Sequence, residues 1–109
     1  MTDLYQLTMM QGYFHHGIGK NRAVFDLFYR KAGEEISYAV AAGLEQAIEY
    51  IQNISFSNED ISYLRSLSMF SEGFLSYLRS FRFTGDVNAV PEGTLVFPNE
   101  PIEIGRAHV

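Results

Sequence analysis

A mixed α/β fold is predicted for this chain by three observations. Apolar residues recur at helical spacing in four separate stretches, other stretches have the β-branched and aromatic content of strands, and cap residues or glycines mark the boundaries between them. The 47% apolar and 15% aromatic content of the 109 residues is enough for a packed core, so an ordered domain is expected rather than a disordered chain. No internal repeat and no linker interrupts it.

The first helix is predicted over residues 3–16. Thr2 and Asp3 can cap it, Gln6 is the returning partner of Asp3, and Leu4, Leu7, Met10 and Phe14 form its apolar stripe. Gly17 is placed to end it. The next stretch, residues 23–30, puts Phe25, Leu27 and Tyr29 on one face of a strand and Val24 and Phe28 on the other, the pattern of a strand covered on both sides. Residues 31–37 read as a loop, and 38–41 as a second short strand.

Gly43 then turns the backbone into a helix over 44–53, with Leu44, Ala47, Ile48 and Ile51 on one face and Glu45, Gln46, Glu49 and Gln52 on the other. Ser57 with Asp60, and Ser71 with Phe74, open two further helices. Their buried stripes are Ile61, Leu64 and Leu67, then Phe74, Leu75 and Leu78. Residues 86–90 and 94–97 look like two strands paired through the turn Pro91-Glu92-Gly93. The closing Ile104-Gly105-Arg106-Ala107-His108-Val109 does not continue the strand pattern and coincides with one reading frame of a common sequencing adapter. Residues 103–109 are therefore expected to be a non-native read-through tail, with 1–102 a partial N-terminal domain.

Eight basic against thirteen acidic residues give a net charge of -5, with the positive charges scattered, so the basic footprint of a nucleic-acid binder is not expected. No apolar run approaches the roughly 20 residues that span a bilayer, and the opening residues lack the features of a signal peptide, so neither a membrane nor an export route is expected. Zero cysteines exclude a disulfide framework and a thiolate metal site in this stretch. A cytoplasmic location is the expectation.

Tyr5 carries an aromatic face and a hydroxyl at the first turn of the first helix, where free N–H groups favour anions. As structure alone, the same stretch is a capped helix with an apolar stripe. His15 and His16 are adjacent, so on a helix they point about 100° apart and do not chelate one metal; an exposed pair at the helix C-terminus suffices. Arg30 and Lys31 mark the exit of a strand into water, a place where ligands also bind in α/β folds. Glu34, Glu35, Glu59 and Asp60 have no partner group converging on them.

Four ordered strings carry a more specific signal. Thr2-Asp3-Leu4-Tyr5-Gln6-Leu7-Thr8-Met9 resembles the opening helix of the nicotinate phosphoribosyltransferase family, and Ala23-Val24-Phe25-Asp26-Leu27-Phe28-Tyr29-Arg30-Lys31 its first strand. Tyr38-Ala39-Val40-Ala41-Ala42-Gly43-Leu44-Glu45 resembles its strand-to-helix turn, and the stretch from Thr84 to Pro98 the strands that follow. The resemblance implies the α+β N-terminal region of a type II phosphoribosyltransferase, whose barrel-like domain is absent from this stretch. It implies an enzyme that joins nicotinate to the ribose of phosphoribosyl pyrophosphate, releasing pyrophosphate, with ATP and magnesium, in a homodimer whose site is shared between subunits.

By the same resemblance Tyr5 stacks on the pyridine ring. The catalytic histidine, the carboxylate-gripping arginines and the phosphate and magnesium contacts lie downstream. No catalytic, cofactor-binding or metal-binding residue is therefore assigned, and the stretch alone is expected to be inactive. A nicotinamide or quinolinate relative, or a non-catalytic interaction module of the same fold, are the alternatives. The loop Ala32-Gly33-Glu34-Glu35-Ile36-Ser37 departs from the Pro-Phe-Gly-Gly type that follows the Arg-Lys pair in the family.

Overall fold

In chain order the computed structural model, which describes residues 2–31, 33 and 37–108, has four helices and five strands. They are α1 (Leu4–His15), β1 (Arg22–Leu27), β2 (Ala39–Val40), α2 (Leu44–Asn53), α3 (Asn58–Ser66), α4 (Glu72–Ser80), β3 (Asp86–Ala89), β4 (Leu95–Val96) and β5 (Glu103–His108). All strand pairs are antiparallel, in a three-stranded sheet of order β1-β5-β3 and a two-stranded sheet of β2 with β4, so the class is α+β. Most of the acidic loop expected after β1, residues 32 and 34–36, lies outside the described residues.

The helices form where local chemistry predicts them. Gln6 Oε1 accepts from the Asp3 N–H at 3.3 Å at the start of α1. At α3 the Ser57 hydroxyl accepts from the Asp60 N–H at 3.1 Å, while the Asp60 carboxylate accepts from the Ser57 N–H at 2.8 Å. Ser71 caps α4 by accepting from the Phe74 N–H at 3.3 Å. Gly43, at φ 98°, takes the left-handed conformation that admits the chain to α2.

One core holds the helical part together: Leu7 of α1, Ile61 and Leu64 of α3, and Phe74, Leu75 and Leu78 of α4 are buried against one another. Met10, Phe56, Leu67, Phe70 and Tyr77 pack on its rim. Phe14 extends the contact, its ring 5.4 Å from Tyr77 and 5.9 Å from Phe74. Gln11 ties α1 to the α3–α4 turn, donating to the Met69 carbonyl at 2.9 Å and accepting from the Ser71 N–H at 2.8 Å. Helix α2, in contrast, buries no residue, and Ile48 of its apolar stripe stays 42% exposed.

Three strand expectations need correction. β1 is not covered on both faces: it is an edge strand on which Val24, Phe25 and Leu27 are all exposed. β3 and β4 do not pair with each other. The turn between them is pulled towards β2, with the Gly93 N–H donating to the Ala41 carbonyl and the Ala41 N–H to the Thr94 carbonyl, each at 2.8 Å, so β4 joins β2 and β3 joins β5. Finally, residues 103–108 do continue the strand pattern. β5 is the central strand of its sheet, bonded to β1 on one side and β3 on the other. Gly85 serves that pairing, since a Cβ there would stand 2.3 Å from the Arg106 carbonyl oxygen.

Candidate substrate platform at the head of α1

Tyr5 is the second residue of α1, and it is 62% exposed. Leu4 and Gln6 beside it are exposed as well, and Leu7 is buried in the core, which fixes the rotation of α1 and turns Tyr5 away from it. The amides of Leu4 and Tyr5 precede the first intrahelical bonds, while those of Gln6 and Leu7 donate to the Asp3 carbonyl at 3.1 and 3.4 Å. An outward aromatic face thus stands beside N–H groups at the positive end of a helix dipole, a combination that suits a flat anion.

An apolar groove of about 580 Å³ opens beside this helix start, lined by Thr2, Leu4, Leu7, Tyr50, Phe56 and Tyr63 among others. Tyr5 is not among its lining residues.

The other residues singled out in the sequence do not join Tyr5. His15 is ten residues along α1, about 15 Å at the rise of a helix. Its Nε2 lies 3.4 Å from the Ser71 hydroxyl, and both it and His16 are exposed at the helix end. Arg30 and Lys31 follow β1 and are exposed. Asp60 is engaged in capping α3, and Glu34 and Glu35 lie outside the described residues. Among the described residues no group of three or more His, Asp or Glu side chains could hold a metal ion, and no helix is long and apolar enough to cross a membrane. What the arrangement offers is an exposed aromatic side chain beside the free amides of a helix start, and none of the other residues singled out in the sequence stands beside it among the described residues.

Two contacts were not readable in the sequence. The Glu92 carboxylate accepts from the Gly43 N–H at 2.8 Å and the Leu44 N–H at 3.0 Å, capping α2 from the turn before β4. The Tyr29 hydroxyl donates to the Val96 carbonyl at 3.2 Å and ties the end of β1 to the smaller sheet. Both join residues far apart in the chain, so no spacing rule announces them.

An α+β domain with an aromatic platform at its first helix is thus the class that fold and site define. Residues 1–104 match the family model described as the nicotinate phosphoribosyltransferase (NAPRTase) N-terminal domain, and the chain belongs to that family. It is 48% identical over 100 residues to nicotinate phosphoribosyltransferase pncB2 of Mycobacterium tuberculosis, covering 92% of this chain and 21% of that protein. It is 48% identical over 101 residues to the nicotinate phosphoribosyltransferase of Bacillus subtilis, covering 93% and 21%. The crystal structure of human nicotinic acid phosphoribosyltransferase superposes with a TM-score of 0.86 at 32% identity, over 99% of this chain and 22% of the human one. The chain therefore spans about a fifth of the length of the relatives it matches.

Proposed function

We propose that this chain serves as the N-terminal domain of a nicotinate phosphoribosyltransferase and that Tyr5 supplies the face on which the pyridine ring of nicotinate stacks. The observation that carries the reading is the 62% exposure of Tyr5 on a helix whose neighbouring Leu7 is anchored in the core, so the residue is presented to solvent on a fixed helix. Stacking contributes on the order of 0.5 to 1.5 kcal/mol beyond burial, enough to orient a small ring and too little to perform chemistry. The reaction in this reading forms a bond from the pyridine nitrogen to the ribose of phosphoribosyl pyrophosphate as pyrophosphate leaves. Tyr5 holds the ring so that its nitrogen can reach that carbon.

The described residues offer no donor set for magnesium, so no step is assigned to metal or ATP on this chain. In this reading, ATP, magnesium and phosphoribosyl pyrophosphate contacts belong to a barrel-like domain, and the working enzyme is a cytoplasmic homodimer. The 109-residue chain alone is inactive. The nicotinate names borne by the relatives favour this substrate over nicotinamide or quinolinate.

The test replaces the corresponding N-terminal region of the Bacillus subtilis relative with residues 1–102 of this chain. The hybrid is expected to form nicotinate mononucleotide, and Tyr5→Ala in it to weaken nicotinate binding by roughly 1 to 3 kcal/mol, read as a raised KM for nicotinate. An inactive but folded hybrid would sink the domain assignment. A nicotinate KM and kcat untouched by Tyr5→Ala would sink the role of the ring.

A further inference from the structure

Four residues of α1 that meet the α3–α4 pair or its connection, Leu7, Met10, Gln11 and Phe14, fall at i, i+3, i+4 and i+7, on one face of the helix. Leu7 is buried in the core, Met10 packs on its rim, and the Phe14 ring lies 5.4 Å from that of Tyr77. Gln11 is the polar member of this face. Its amide nitrogen donates to the Met69 carbonyl at 2.9 Å, and its amide oxygen accepts from the Ser71 N–H at 2.8 Å. A backbone carbonyl only accepts and an N–H only donates, so one orientation of the amide satisfies both ends. The two bonds grip residues 69 and 71 of the connection between α3 and α4.

Burial of Leu7 decides which face of α1 turns inward. Apolar contacts are non-directional, however, so the fine setting of that roll falls to the paired bonds of Gln11, which weaken steeply when misaligned. At about 100° per residue Tyr5 stands roughly opposite the gripped face, in keeping with its exposure. A roll of about 20° would carry a side chain standing about 5 to 6 Å from the axis by roughly 2 Å. Hydrogen bonds nearer the ring do not correct for such a roll, because they are local to α1. The Asp3 N–H donates to Gln6 Oε1 at 3.3 Å and the Thr8 hydroxyl to the Tyr5 carbonyl at 2.8 Å. They shape the head of the helix without placing it.

We propose that Gln11 is a positioning residue for the pyridine substrate: by pinning α1 to the α3–α4 connection it sets the angle at which Tyr5 meets the ring. In this role Gln11 touches no substrate, since its bonds go to backbone groups and it lies six residues, about 9 Å along the axis, from Tyr5. The inference rests on the reading of Tyr5 as the stacking face and adds to it what holds that face in register.

The hybrid enzyme that carries residues 1–102 in the Bacillus subtilis relative tests it. Gln11→Met keeps the length and helix propensity of the side chain and removes both bonds. It is expected to raise the KM for nicotinate on the order of threefold and to leave the KM for phosphoribosyl pyrophosphate unchanged. In a hybrid that already has Tyr5→Ala, Gln11→Met should add nothing to the nicotinate KM, because its effect runs through that ring. Loss of folded enzyme lowers the apparent kcat and moves neither KM, so a fall in kcat alone overturns the proposal. So does a nicotinate shift of the same size with and without the Tyr5 ring. Should Gln11→Met yield no folded hybrid, Gln11→Glu, which keeps the bond from Ser71, is measured in the same way and held to the same outcomes. If Tyr5→Ala itself leaves the nicotinate KM unchanged, the stacking reading has failed and this proposal falls with it. If Tyr5→Ala raises that KM and Gln11→Met does not, only the positioning role has failed.

Discussion

The carboxylate of Glu92 binds the amides of Gly43 and Leu44 at 2.8 and 3.0 Å, and the two residues it joins to it lie 49 and 48 positions away in the chain. It does for α2 what Ser57 and Ser71 do for their own helices, and α2 needs it, because Gly43 has no side chain to cap with and no residue of α2 is buried. A charged acceptor at the positive end of the helix dipole is worth more than a neutral one. Glu92→Ala is expected to cost about 1 kcal/mol of stability and to raise amide exchange at Gly43 and Leu44, with Glu92→Gln losing less. Unaltered exchange at those two amides in Glu92→Ala would show that the contact contributes nothing. Tyr5 is the opposite case at this scale: its place in the first turn of α1 follows from the Thr2-Asp3 start and was legible in the sequence, while its exposure came from the structure.

Helices α3 and α4 carry the clearest electrostatics, and both features lie at their ends. The Ser57 hydroxyl, and after it the Ser57 N–H, hold the Asp60 carboxyl below its ordinary range. The Arg65 guanidinium, bonded to Glu72 at 2.7 and 3.0 Å, lowers the Glu72 carboxyl and is itself raised by it. Both carboxyls have a depressed value in the folded chain, so their contribution is present above the unfolded carboxylate range and is lost as pH falls through the folded values. The window lies below about pH 4. Thermal melts across that window should fall with acid in the native chain and fall less in an Asp60→Asn/Glu72→Gln variant. Equal slopes would show that neither contact matters to folding. Since both groups are exposed, added salt should shrink the Arg65–Glu72 share.

The same scale explains what could be read from sequence. α2, α3 and α4 start and stop at local signals, so Ser57 with Asp60 and Ser71 with Phe74 located two of them within a residue. The strands depend on partners that no local pattern names. Pro91-Glu92-Gly93 looks like a hairpin turn, yet its amides and carbonyls are taken by Ala41 of the strand-to-helix connection. β5 was missed for a related reason: a central strand is held by backbone bonds on both edges, and with Gly105, Arg106 and Ala107 it needs little apolar content to stay in place. On β1 the two-sided apolar pattern was read correctly as residues and wrongly as burial, because covering depends on what lies beside the strand.

At the scale of the whole molecule, the radius of gyration is 16.8 Å, against about 13 Å for a compact chain of this length, and the extents are 49 × 25 × 23 Å. Elongation reflects how the core is distributed. Leu7, Ile61, Leu64, Phe74, Leu75 and Leu78 form one cluster made by α1, α3 and α4, and Val96 is the one other buried apolar residue among those described. The three-stranded sheet therefore relies on its own ladders and on the Arg22–Asp86 contact between exposed groups, which contributes little. Apolar burial is the dominant favourable term in folding, so the helical cluster must hold most of the stability and the sheet must open at lower free energy. Native-state hydrogen exchange should show the amides of β1 and β3 exchanging through a sub-global opening while those of α3 and α4 follow global unfolding. Uniform protection across strands and helices would contradict this division of the molecule.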